Sequence, residues 1–228
     1  GRATITIEPG GQLELSGAPF KDVSQTAQEF DEHMHELSQI TEAWRWSGLG
    51  HFPLQHAESA PLMPKPRYKT LEAYVRNAGG DGLHMMRQTC TVQVNLDYLS
   101  ESDAMRKLRV GLMVHPMVIA LYANSGFFEG QWTDLRSRRA VIWETTAPKR
   151  TRLPDVFYRP GAKFRDYVDW SLEAPMLFIH RGGVYVDCEG LDFKLFMQEG
   201  FNDEVATMGD YALHLSTLFP DVRLKHFL

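Results

Sequence analysis

The sequence predicts an α+β protein, a mainly antiparallel sheet with helices packed on one face. Three observations carry that expectation. Residues 89–97 alternate apolar and polar without a break, apolar residues from Val23 to Trp44 recur at steps of three and four, and residues 176–187 read as two short strands around a glycine turn. The 228 residues, 43% hydrophobic and 11% aromatic, suffice for a sizeable core. A domain of that length buries about 70–75% of its unfolded surface. Such a composition excludes disorder over most of the chain, and no stretch approaches the roughly 20 uninterrupted apolar residues of a spanning helix. With 24 basic against 29 acidic side chains the net charge is -5, the wrong sign for a bulk nucleic-acid binder.

In chain order, residues 4–8 alternate, Pro9-Gly10-Gly11 interrupts, and residues 12–15 alternate again before Ser16-Gly17-Ala18-Pro19 ends the segment, giving strand, bend, strand. The opening residues hold no apolar signal core, so no targeting signal is expected. From Val23 an amphipathic helix runs to a stop near Gly48. Pro53, Pro61, Pro64 and Pro66 mark a loop, the one candidate linker, and residues 68–77 have helical spacing before Gly79-Gly80 breaks it. The strand 89–97 places Cys90, Val92, Val94 and Leu96 on a core face and Thr89, Thr91, Gln93, Asn95 and Asp97 on a polar one. Ser100 with Asp103 starts a helix towards Tyr122; its second half is almost wholly apolar, so burial is expected there, with a bend at Pro116. A loop carrying Arg136, Arg138 and Arg139 leads into a short strand, Val141-Ile142-Trp143. A hairpin around Arg181-Gly182-Gly183, helices over 192–198 and 209–218 and a strand-like 222–227 complete the chain. Two cysteines, Cys90 and Cys188, in a chain too large to need disulfide staples point to a reducing cytoplasm.

Glu8 and Glu14 are six apart, so on a continuous strand they share a face; if Pro9-Gly10-Gly11 folds back they become cross-strand neighbours. Paired carboxylates repel, and a divalent cation with hard oxygen ligands, magnesium or calcium, relieves that. A solvated polar edge is the ordinary reading of such acids. Gln93 and Asn95 sit mid-strand, where carboxamides are disfavoured, and suit recognition of a polar small molecule or phosphate oxygens as well as a plain wet face. Arg136, Arg138, Arg139, Lys149, Arg150 and Arg152 crowd six positive charges into 17 residues; phosphate clamps, a nucleic-acid patch or a solvated basic loop would each explain them. Nine histidines show no metal-ligand spacing, and neither a nucleophile elbow nor a P-loop is present.

Several motifs in order resemble glutamate–cysteine ligase of the plant and proteobacterial type. They run from Ile7-Glu8-Pro9-Gly10-Gly11-Gln12-Leu13-Glu14-Leu15-Ser16-Gly17-Ala18-Pro19 through Met63-Pro64-Lys65-x-Arg67-Tyr68 to Thr89-Cys90-Thr91-Val92-Gln93-Val94-Asn95-Leu96-Asp97. Ala123-Asn124-Ser125-x-Phe127-x-Glu129-Gly130 and His214-Leu215-x-Thr217-Leu218-Phe219-Pro220-x-Val222-Arg223 follow. The resemblance implies a glutamine-synthetase-like sheet and ATP-dependent joining of the γ-carboxylate of L-glutamate to the amine of L-cysteine through γ-glutamyl phosphate, with Mg2+ as cofactor and small molecules as partners. By position, Glu8 and Glu14 are similar to metal-binding acids. Arg67, Gln93 and Asn95 would bind substrate or ATP, and Arg139 and Arg150 would be catalytic.

There are departures. Pro66 replaces a glycine, Gln88 stands where an arginine is usual with Arg87 one place earlier, Leu83-His84 replaces Leu-Asp, Thr133-Asp134 replaces Asn-Gly, and Arg152 replaces a glycine. They leave open a different amine acceptor or a non-catalytic, ligase-like binding protein. Ala27 stands at the redox cysteine of the plant enzymes, so no thiol switch of that kind is expected. Family members begin with an earlier strand of metal-binding acids and continue past position 228. Residues 1–228 are therefore expected to be the central part of one catalytic domain with flanking strands beyond both ends, inactive alone.

Overall fold

Turn chemistry sets the first hairpin. The structure, a computed structural model, describes residues 2–40, 43–188 and 190–225. Strands β1 (Thr4–Ile7) and β2 (Leu13–Ser16) pair antiparallel, with Thr6 opposite Glu14 and Ile7 opposite Leu13. The bend between them needs its glycines. Gly11 has φ 89°, and a Cβ on Gly10 would stand 1.9 Å from the Arg87 carbonyl oxygen, so the bend lies directly on the last turn of the helix over Gly82–Gln88.

Helix α1 (Val23–Ile40) is amphipathic as expected but ends short of Gly48; residues 41–42 lie outside the described residues. Only His33 and Leu37 are buried on it. Helix α2 (Pro66–Ala78) opens on a proline, whose missing N–H costs nothing at a first helical turn. Together with α3 (Gly82–Gln88) it forms a small core of Tyr68, Val75 and Met86, backed by Met63, Leu71 and Met85. Helix α4 (Glu101–Tyr122) is capped by the Ser100 hydroxyl, which accepts from the Asp103 N–H, and it continues through Pro116.

A two-residue ladder, β3 (Phe127–Phe128) with β4 (Gln131–Trp132), precedes α5 (Arg138–Thr145). The strand expected at Val141-Ile142-Trp143 is thus helical. Ser137 accepts from the Ala140 N–H and Ile142 is wholly buried, so a cap and a packing site override the local preference of two β-branched residues. The short α6 (Pro148–Thr151) and α7 (Phe164–Glu173) lead to the expected hairpin of β5 (Phe178–Arg181) and β6 (Val184–Asp187). Gly182 and Gly183, at φ 55° and 83°, supply the turn. Helices α8 (Phe193–Glu199) and α9 (Met208–Leu215) match expectation. Residues 222–225 form no strand, and 226–228 lie outside the described residues.

Two larger cores gather residues from α4 onward. Met105, Leu108 and Leu112 of α4 pack on Leu153, Phe157, Tyr167, Trp170 and Leu218, while Met176, Ile179, Cys188, Phe193 and Phe196 form the second. The architecture is α+β, but among the described residues three separate two-stranded antiparallel sheets replace the one sheet expected. The reason lies in residues 89–97. Thr89 makes one bridge, to His51, the Cys90 N–H reaches the Gly50 carbonyl, and residues 91–97 join no ladder, because no other described strand runs alongside them. Val92, Val94 and Leu96 are 92%, 75% and 72% exposed, so the expected core face is open. The second half of α4 is open too; Met113, Met117 and Leu121 face solvent rather than the core. The accessible surface of 14826 Å² accordingly exceeds the roughly 10,500 Å² of a closed monomer of this size.

Candidate active site

The fold-back between β1 and β2 puts Glu8 and Glu14 diagonally across one face of the hairpin, since Thr6 opposes Glu14 and the Glu8 N–H donates to the Gln12 carbonyl at 2.8 Å. The cross-strand alternative is the one the chain adopts. Burial raises the Glu8 carboxyl above its ordinary pKa, Glu14 pushes it further, and Lys65 and Arg67 pull it back. Two lysines and an arginine therefore surround two acids, because Lys225 also lies within electrostatic reach of Glu14. Lys65, at the entrance of α2, donates from Nζ to the Ile7 carbonyl at 2.9 Å. Arg67, half-buried on the first turn of α2, lies 5.8 Å from the Tyr68 ring centre.

The carboxylates are hard oxygen donors whose repulsion a divalent cation would relieve, so they fit such an ion as part of a ligand set. They do not enclose it. Among the described residues no three His, Cys, Asp or Glu side chains come close enough to hold a metal.

A second group gathers where the 89–97 segment begins. The Cys90 N–H donates to the Gly50 carbonyl at 3.1 Å, and Arg139 Nε donates to the Cys90 carbonyl at 2.8 Å. Asn124 bridges the approach, accepting from the Gly50 N–H at 2.8 Å and donating to the Gly48 carbonyl at 3.0 Å. Arg139 leaves α5 over the Trp143 ring, 5.4 Å from its centre, and burial lowers its pKa. Burial likewise pushes the Cys90 thiol up, opposed by Arg139. Further along, Gln93 and Asn95 are exposed and bonded to each other, Nε2 to Oδ1 at 2.9 Å.

Gln12 joins the two groups. Its carboxamide accepts from the Gly10 N–H at 2.9 Å and donates to the Thr89 carbonyl at 3.1 Å. Gln12, Lys65 and Asn124 carry no spacing signal of their own; the only sequence feature that marks them is that each lies inside one of the motifs above.

Arg150 is placed elsewhere. It is 3% exposed and donates to the Pro175 carbonyl and to both the carbonyl and hydroxyl of Thr217, with no carboxylate at its head among the described residues; burial lowers its pKa to about 10. Its neighbours in sequence also scatter. Arg138 pairs with Asp81 at 3.1 Å over the Phe128 ring, Arg152 pairs with Glu144, and Arg136 and Lys149 are exposed, so the basic run forms no single patch. Gln88, at the position of the usual arginine, is buried between His84 and the Gln55 carbonyl, while Arg87 turns inward to the carbonyls of residues 57, 58 and 60 and to Glu72.

The sequence profile of glutamate-cysteine ligase family 2 matches residues 1–228. The chain is similar to the chloroplastic glutamate–cysteine ligases of Brassica juncea and Solanum lycopersicum, each 41% identical over 233 residues, and of Arabidopsis thaliana, 40% identical over the same length. Each match covers 100% of this chain and 45% of the relative, so the chain spans about half the length of the curated relatives it matches. Their chloroplastic names overturn the cytoplasmic setting read from the cysteines. Cys90 and Cys188 are both free, but few unpaired cysteines indicate reducing surroundings and do not distinguish one reducing compartment from another. No described helix is long and apolar enough to cross a membrane. A profile matched from end to end makes this chain a member of glutamate-cysteine ligase family 2.

Proposed function

We propose that the chain is the central part of the catalytic domain of an ATP-dependent ligase that joins the γ-carboxylate of L-glutamate to the amine of L-cysteine. The observation that carries this reading is the repelling pair Glu8 and Glu14, set against Lys65 and Arg67. In the complete domain, residues 89–97 become a strand of a glutamine-synthetase-like sheet, flanked by strands from outside these residues. Its polar face then turns Gln93 and Asn95 towards nucleotide or glutamate.

A carboxylate is a poor electrophile. Its oxygen attacks the γ-phosphorus of ATP, the bond to ADP breaks, and the resulting acyl phosphate loses phosphate when the amine attacks its carbonyl carbon. Magnesium held by Glu8 and Glu14 would supply charge neutralisation at the phosphates. The residues of this chain bind and orient: Arg67 takes a substrate carboxylate, and Arg139, fixed at the Cys90 carbonyl, faces the transferring phosphoryl group. Arg150, with its hydrogen bonds spent on Pro175 and Thr217, serves as a structural cation.

ADP release by the complete protein with magnesium and glutamate, with and without cysteine, tests the reading. Release that needs both amino acids is expected, and Glu8→Gln should lower the rate on the order of a hundredfold. Because Pro66, Gln88, His84, Thr133-Asp134 and Arg152 together depart from the family pattern, a different amine acceptor is the alternative; glutamate-dependent ADP release stimulated better by another amine would select it. No ADP release would move a ligand-binding role to the front.

A further inference from the structure

We propose that Gln12 is a positioning residue that couples the acidic hairpin to the segment bearing Gln93 and Asn95; this rests on the assignment of Glu8 and Glu14 as divalent-cation ligands. The Gln12 carbonyl receives the Glu8 N–H at 2.8 Å, so its backbone holds the strand end that carries Glu8. Its side chain spans 77 positions of sequence to the Thr89 carbonyl at 3.1 Å, with the Met86 carbonyl at 3.5 Å, while its oxygen accepts from Gly10. The next residue, Cys90, is the point to which Arg139 is tied. One amide thus sets the distance between the acids and the start of the segment that carries the carboxamides and meets the arginine.

The hairpin does not depend on this amide for its attachment. The Met63 N–H donates to the Pro9 carbonyl at 2.8 Å and Lys65 Nζ to the Ile7 carbonyl at 2.9 Å. Loss of the Gln12 amide therefore loosens register more than fold, which separates positioning from stability. Two variants probe it: Gln12→Met keeps the length and removes the hydrogen bonds, and Gln12→Asn keeps the amide and shortens the reach by one methylene.

The probe is Mn2+ with ADP, followed in the complete protein by electron paramagnetic resonance of free Mn2+, with thermal unfolding run in parallel. Both variants should bind Mn2+ about tenfold more weakly with a thermal midpoint within a few degrees of the unsubstituted protein. Asn95→Ala should weaken binding in the unsubstituted protein but add little in the Gln12→Met background, the non-additivity of residues that act together. Unchanged Mn2+ affinity, full additivity with Asn95→Ala, or a loss that only tracks unfolding would each overturn the proposal. If Glu8→Gln leaves Mn2+ binding untouched, the ligand assignment itself fails and takes the coupling with it. That outcome is distinct from a Gln12 variant that behaves like the parent.

Discussion

Residues 148–225, and residues 89–99 with the second half of α4, are similarly rich in apolar side chains, yet the first region is closed and the second open. In the first, Phe157, Met176, Ile179 and Phe196 are at most 1% exposed, and Arg181 is held between Asp210, at 2.6 and 2.9 Å, and Glu204, at 2.8 Å. In the second, Val92, Val94, Leu96 and Leu99 are 72–94% exposed and α4 turns Met113, Met117 and Leu121 outward. Apolar patterning states which face requires burial; whether a partner is at hand is a separate, non-local matter. The second group of the candidate active site, around Thr89 and Cys90, lies where the open segment begins.

The largest effect is expected at Phe196, which has no exposed surface and meets Phe193 edge-on at 5.8 Å. Truncation to alanine removes most of a ring from a packed site, so Phe196→Ala should cost about 4 kcal/mol in denaturant unfolding. A loss below about 1 kcal/mol would show that the closed region is not tightly packed and would break the comparison.

The same contrast explains what could be read beforehand. The bend at Gly10-Gly11, the Ser100 cap and the turn at Gly182-Gly183 were legible because each depends on chemistry within a few residues. The helix over Val141-Ile142-Trp143 was not, since Ser137 and the buried site for Ile142 outweigh two β-branched side chains. For residues 89–97 the alternation was read correctly as a pattern, but pairing depends on a neighbour the pattern does not name. Among the site residues, the spacing of Glu8 and Glu14 left two arrangements open, and the bend chose between them. Nothing local separates Arg139, at the mouth of the segment, from Arg150, turned inward to Thr217.

A smaller effect should appear with pH. His214 is 2% exposed, bonded through Nε2 to the Ser171 carbonyl at 2.7 Å and stacked on Phe193; burial, with Arg150 nearby, holds its pKa down at about 4. Its unfolded value is near 6.5, so between those two values the unfolded chain binds more protons than the folded one. Stability from this residue is complete above the unfolded pKa and falls as pH drops through that window, by about 3 kcal/mol at pH 4. Unfolding free energies measured at pH 7, 5.5 and 4.5 should show the decline, and His214→Gln should flatten it. An equally steep profile in the variant would assign the acid sensitivity to other groups, His51 among them, whose pKa burial also lowers.

The smallest effect tests the open region directly. Val94 and Leu96 are 75% and 72% exposed, so their methyl groups already meet water in the folded chain, and replacing either with threonine removes little that folding had gained. Val94→Thr and Leu96→Thr should each shift the unfolding free energy of this chain by no more than about 0.5 kcal/mol. In the complete protein, where the proposed sheet would cover this face, each should cost about 1–3 kcal/mol, because a hydroxyl would then enter an apolar contact without a partner. Equal costs in the two contexts decide the matter either way. If both are small, the face stays open in the whole protein and the sheet must be closed elsewhere. If both are large, the segment is already buried in the chain by itself, and the contrast between the two regions disappears.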